Sequence, residues 1–237
     1  MGVNDRADEA KIRSHWYASQ VEATGSWAEK RRLAAAMRDV IERLVKIDAP
    51  VEELRAAAEA LERYAARLET HRRRVHSAGF AESANAGSVG AFFDYSPLIG
   101  LSNPLAPPVS LWAEGERVYG TVNFGSAYEG PPGCVHGGVI ASAFDEVLGF
   151  AQSMTGRPGM TGTLVTKYRQ PTPLRTELRF EASVTRSQGR KNFAEARLYA
   201  GEMLCAEAEA IFISLSPERY AELVEAQARR EREEQVP

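Results

Sequence analysis

Long hydrophobic runs are missing from this 237-residue chain. No stretch reaches about 18 consecutive apolar residues, so a membrane-spanning helix is not predicted. The opening residues, MGVNDRADEAKIR, bring acids early and no apolar core, so no secretory signal is expected. Cysteine is scarce. Cys134 and Cys205 have neither metal-site spacing nor a leader beside them, which predicts free thiols in a reducing, cytoplasmic compartment. A dominant charge is lacking as well. With 29 Lys and Arg against 32 Asp and Glu, a net charge of −3 gives no global reason to expect nucleic acid. No metal cluster and no GxGxxG loop occurs, so no metal or cofactor is called for. Ser142 lies in no GxSxG elbow, which removes the usual support for a serine hydrolase. The remaining composition, 44% apolar and 26% charged, is that of an ordinary globular protein.

What is present divides by periodicity. Residues 1–76 read as a helical arm. Ser26 followed by Glu29 has the form of a capping box, and Leu33, Met37, Val40, Ile41, Leu44 and Val45 recur behind it at helical spacing. Asp48-Ala49-Pro50 breaks that helix and starts a second one. There Val51, Leu54, Ala58, Leu61, Ala65 and Leu68 form an a/d seam, which predicts a helical hairpin or a dimer-forming arm. The basic run Arg72-Arg73-Arg74 reads as a solvated helix end that suits the dipole. Residues 77–108, rich in Gly, Ser, Ala and Pro, read as a linker. Its Phe92, Phe93, Tyr95, Leu98 and Ile99 are expected to dock on the domain C-terminal to it.

From 109 to 215 the period becomes two. VSLWAEGERVYGTVNF predicts a hairpin turning at Glu114-Gly115-Glu116. A helix is expected from roughly 138 to 155, then strands near 161–170, 175–186, 191–200 and 203–215. The helix is apolar around most of its circumference and should be buried. In the last strand Leu204, Ala206, Ala208, Ala210 and Phe212 share a face, and the alanines leave room for that helix to lie close. Antiparallel strands wrapped around one apolar helix, an α+β domain, is the predicted architecture. Residues 216–237 read as a helix running into a charged tail.

Candidate chemistry gathers where this helix begins. In EGPPGCVHGGVIASAFDEVLG, two glycines after His136 allow close approach of a ligand to a helix N-terminus. Its free N–H groups suit a carbonyl oxygen gaining negative charge in acyl transfer. Nine residues after His136, Asp145 interrupts the apolar helix, where a carboxylate is costly to bury without a partner. Glu146 points about 100° away and is expected to be solvated or paired. Gly138 and Asp145 lie about 10 Å apart along the axis. One carbonyl cannot touch both. If the two cooperate they must come from different helices, so two composite sites per symmetric dimer are predicted. Cys134 has no residue spaced to activate it as a nucleophile.

The string His136-Gly137-Gly138 with Asp145, followed by Thr161-Gly162-Thr163-Leu164-Val165-Thr166-Lys167-Tyr168-Arg169-Gln170-Pro171, resembles the PaaI-like branch of the hotdog-fold thioesterases. The chain also resembles members of that branch with an N-terminal extension. The resemblance covers about residues 109–215 and leaves the arm unexplained. It implies hydrolysis of acyl-CoA thioesters by a homodimer or higher homo-oligomer built through the hotdog helix. On that reading Asp145 is general base or nucleophile, His136 shapes the loop, and the Gly137 amide, with Gly138, forms the oxyanion hole. Thr161, or Thr163, would bind the attacking water. Lys167, Arg190, Lys191 and Asn192 would lie near the CoA moiety. Many relatives have asparagine six residues before the histidine, where this chain has Gly130. Two other readings fit parts of the pattern: a hotdog hydratase acting on enoyl thioesters, and a non-catalytic acyl-CoA-binding or scaffolding protein.

Overall fold

The computed structural model describes residues 22–71, 93–157 and 159–216, with isolated helical positions at 219, 222, 225, 226 and 229. The Arg72–Arg74 run, Phe92 and most of the predicted linker and tail lie outside the described residues. Two helices come first, α1 (Gly25–Leu44) and α2 (Val51–Glu69). A hairpin is next, β1 (Ser110–Glu114) and β2 (Arg117–Asn123), then a 3-10 turn at Ser126–Tyr128, helix α3 (Gly137–Ser153), and strands β3 (Gly159–Tyr168), β4 (Glu177–Gln188), β5 (Lys191–Ala200) and β6 (Met203–Ser214).

The six strands make one sheet in the order β1-β2-β4-β5-β6-β3, every neighbouring pair antiparallel. Strand β3 comes after the helix in sequence yet ends at the far edge, paired on one side to β6. Helix α3 lies across β2, β4, β5, β6 and β3. This is the hotdog arrangement. Nine residues of α3 are buried, among them Phe144, Val147, Leu148 and Phe150. The sheet is shaped to receive them. Ala194 and Ala196 on β5 pair with Ala210 and Ala208 on β6, and all four are buried. These short side chains form a flat pad, while Phe144 meets Phe180 of β4 edge to face at 5.4 Å. Fully burying one such aromatic contributes on the order of 2–3 kcal/mol.

The arm attaches at its first helix. Trp27 Nε1 donates to Asp94 Oδ2 at 2.7 Å, and Arg31 forms an ion pair with Asp94 Oδ1 at 2.6 Å. Arg38 Nη1 donates to the Asn103 carbonyl at 2.9 Å, and Ala34 is buried against the same surface. Residues 93–109 in turn dock on the core through Phe93, Leu98, Ile99 and Val109, the first three as the sequence predicted. Tyr95 is half-buried, and its hydroxyl accepts from Lys30 of α1 at 3.1 Å. The capping box does not form. The chain enters α1 through Gly25 in a left-handed conformation (φ 56°), so Thr24 is the N-cap and Ser26 falls inside the first turn. Glu29 pairs instead with Arg32 at 2.6 Å. Helix α2 is different. It starts after Pro50 and contains no buried residue, so its seam from Val51 to Leu68 is left open.

Candidate active site

The site is built from the N-terminus of α3, the middle of the same helix and the edge strand β3. His136 is the N-cap of α3, and its Nδ1 accepts from the Gly138 amide at 3.0 Å. That bond leaves the neutral imidazole proton on Nε2, facing outward as a donor. It also engages the Gly138 N–H within the chain. The Gly137 carbonyl accepts from Tyr168 Oη at 2.7 Å. The peptide unit joining Gly137 and Gly138 is therefore gripped from both sides. Among the described residues the Gly137 N–H has no acceptor, at the positive end of a 17-residue helix.

Two turns on, Asp145 is half-buried, and Thr161 Oγ1 donates to its Oδ1 at 2.7 Å. The strand needs an irregularity to do this. Thr161 pairs with Phe212 and Thr163 with Ile211, so Gly162 is an extra residue in a bulge. In a regular strand the two threonines would share a face. The bulge turns Thr161 to the helix side with Phe212 and sends Thr163 to the outer side, separating the two alternatives.

Glu146 is a site feature the sequence did not single out for chemistry. It is partly enclosed and accepts from Ser96 Oγ at 3.2 Å, so of the two readings it is the paired one. Burial pushes its carboxyl up to about 7, with the Asp145 charge adding to the rise and the Ser96 bond opposing it. Nothing in the sequence flags Ser96, which comes from the docked segment 50 residues upstream.

The other expected binding residues spread out. Lys167 lies on the outer face of β3 and pairs with Glu209 at 2.6 Å. Arg190 sits in the β4–β5 turn and its Nε donates to the Ser214 carbonyl at 3.2 Å, while Lys191 beside it is exposed. Asn192 is 1% exposed. Its amide is engaged internally, accepting from Ser187 Oγ at 2.7 Å and donating to the Arg157 carbonyl at 3.3 Å. Gly130 has a steric reason. A Cβ there would stand 2.7 Å from His136 Cα, so this loop path has no room for an asparagine. Within one chain, then, Asp145 with Thr161 and the His136-Gly137 entrance form separate halves, each tied to β3.

Among the described residues no three His, Cys, Asp or Glu side chains are grouped to hold a metal, and no helix is long and apolar enough to cross a membrane. The sequence model of the thioesterase superfamily matches residues 132–207. Acyl-coenzyme A thioesterase THEM4 of Xenopus laevis is 37% identical over 95 residues, covering 39% of this chain and 43% of that protein. The Bos taurus THEM4 is 34% identical over 97 residues, covering 40% of each. The chain thus spans less than half the length of these curated relatives. A crystal structure of a thioesterase superfamily protein superposes with a TM-score of 0.70 at 34% identity, covering 78% of this chain and 94% of that one.

Proposed function

The chain belongs to the thioesterase superfamily, and on that footing we propose that it hydrolyses acyl-CoA thioesters to the free acid and CoA. The observation that carries this reading is the Thr161–Asp145 hydrogen bond at 2.7 Å. Thr161 occupies Oδ1 and fixes the carboxylate plane, which leaves Oδ2 to take a proton from water. The water oxygen attacks the thioester carbonyl carbon. Negative charge moves to the carbonyl oxygen, where the open Gly137 N–H receives it. His136 Nε2–H is a second donor at the same entrance. Collapse of the tetrahedral species breaks the carbon–sulfur bond, and the CoA thiolate leaves as the thiol with the proton that Asp145 took from water, which restores the carboxylate.

Both halves act on one carbonyl when two copies meet. Among the described residues β3 is an edge strand paired only to β6, with Met160, Val165 and Tyr168 exposed, and such an edge can add to another strand. A second copy joined there, with its α3 antiparallel, brings one entrance to the other Asp145. This supports two composite sites in a homodimer, with acyl-CoA as the partner molecule.

Thiol release measured across short, medium, long and aryl CoA esters tests the proposal and ranks its substrates. Asp145→Asn keeps the Thr161 contact but cannot take the proton, so turnover should fall about 10²–10⁴-fold with the fold intact. Full activity in that variant, or binding of every ester without thiol release, would refute the hydrolytic reading.

A further inference from the structure

Helix α2 carries a surface that the proposed chemistry does not use. Val51 is 62% exposed, Leu54 43%, Leu61 53% and Leu68 49%, and no residue of the helix is buried. Most helical stability in proteins comes from packing of the apolar face, and here none of that face is buried, so a seam this apolar calls for a cover. We propose that the cover is α2 of a second copy of this chain, running antiparallel.

Size and charge both select that occupant. Val51, Ala58 and Ala65 are spaced by seven, as are Leu54, Leu61 and Leu68, giving a strict heptad. Turned end for end on itself, the helix sets Val51 against the partner's Leu68, Leu54 against the partner's Ala65, and Ala58 against the partner's Leu61. Every layer then joins a large side chain to a smaller one, and the two-fold repeats all three. A parallel pair would stack alanine on alanine and leucine on leucine, alternating gaps with crowding. The flanks agree. In the antiparallel register Arg55 faces the partner's Glu62, and Glu62 faces the partner's Arg55. Among the described residues neither makes an ion pair, whereas Arg63 pairs with Glu59 at 3.7 Å. In a parallel pair the flanking residues opposite Arg55 and Glu62 would be Pro50 and Ala57, which carry no charge.

Cysteine cross-linking of the full chain decides the matter. With Cys134 changed to alanine, and Cys205 enclosed in the core, a single new thiol reports its distance from its own copy. At 1.5 Å per residue, position 58 lies about 4.5 Å along the axis from its mate, and position 65 about 16 Å. Ala58→Cys should therefore give a linked dimer with a short bismaleimide, and Ala65→Cys should not. Arg55→Glu and Glu62→Arg should each lower the Ala58→Cys yield several-fold, and the double reversal should restore it. No linkage at 58, equal linkage at 58 and 65, or a double reversal that fails to recover would each overturn the pairing.

Discussion

Helices α2 and α3 are of similar length, 19 and 17 residues, and both begin beside a turn-forming segment. One has nine buried residues and the other none. Their sequences already differ in kind. Apolar residues run most of the way round α3, so any orientation leaves some to be covered, and a sheet must wrap it. In α2 they keep to one narrow stripe, which a single partner helix can cover. Chemistry goes with the wrapped helix because wrapping fixes it on several sides. An end of α3 cannot shift without disturbing β3, whereas among the described residues no side chain of α2 is buried.

The largest test of this contrast is truncation within each helix. Phe144→Ala removes a ring packed on Phe180 and should cost about 3–5 kcal/mol of domain stability by chemical denaturation. Leu54→Ala in α2 should leave the same transition within about 0.5 kcal/mol, since Leu54 is exposed and lies outside the buried core. Comparable losses would mean that α2 belongs to the folded core.

A smaller effect comes from two glutamates, Glu146 on α3 and Glu62 on α2. Burial holds Glu146 at about 7, above the ordinary carboxyl value, so the native state binds its proton more tightly than the unfolded chain does. Native stability therefore falls as pH rises from about 4.5 to 7, by up to roughly 3 kcal/mol. Glu146→Gln keeps an acceptor for Ser96 and removes the ionisation. Its stability should be level across that window, matching the parent at the acid end and exceeding it above pH 7. Glu62→Gln, on an exposed helix, should leave the parent's slope unchanged. Urea melts at several pH values read both, and an unchanged slope in Glu146→Gln would remove burial as the cause.

Much of the fold was legible in the residues because pattern and packing coincide. The two-residue period near 175–186 marked a strand, in which Leu178, Phe180 and Ala182 are buried, and the alanine row from 206 to 210 marked where the helix lies. Asp145 stood out as a charge in an apolar helix, and Thr161 is hydrogen-bonded to it. What escaped depends on contacts distant in sequence. Ser96 meets Glu146 across 50 residues, and no local period encodes that. The choice between Thr161 and Thr163 turns on a bulge at Gly162, which a glycine inside a strand hints at without fixing its direction. The capping box at Ser26 failed because a neighbouring glycine started the helix earlier.

The helix N-termini give the finest form of the contrast. At α2 no side chain caps the first turn. At α3 His136 caps the Gly138 amide, and Tyr168 in addition donates to the Gly137 carbonyl. If the Gly137 amide receives charge in the transition state, its direction matters more than its presence, and Tyr168 is a positioning residue for it. Tyr168→Phe keeps the ring and loses one hydrogen bond of about 1 kcal/mol, so kcat should fall about fivefold with KM little changed. The pH profile should keep its shape, because the hydroxyl takes no proton in the reaction. A drop confined to KM would assign Tyr168 to substrate binding instead, and an unchanged kcat would mean that the His136 cap alone orients the entrance.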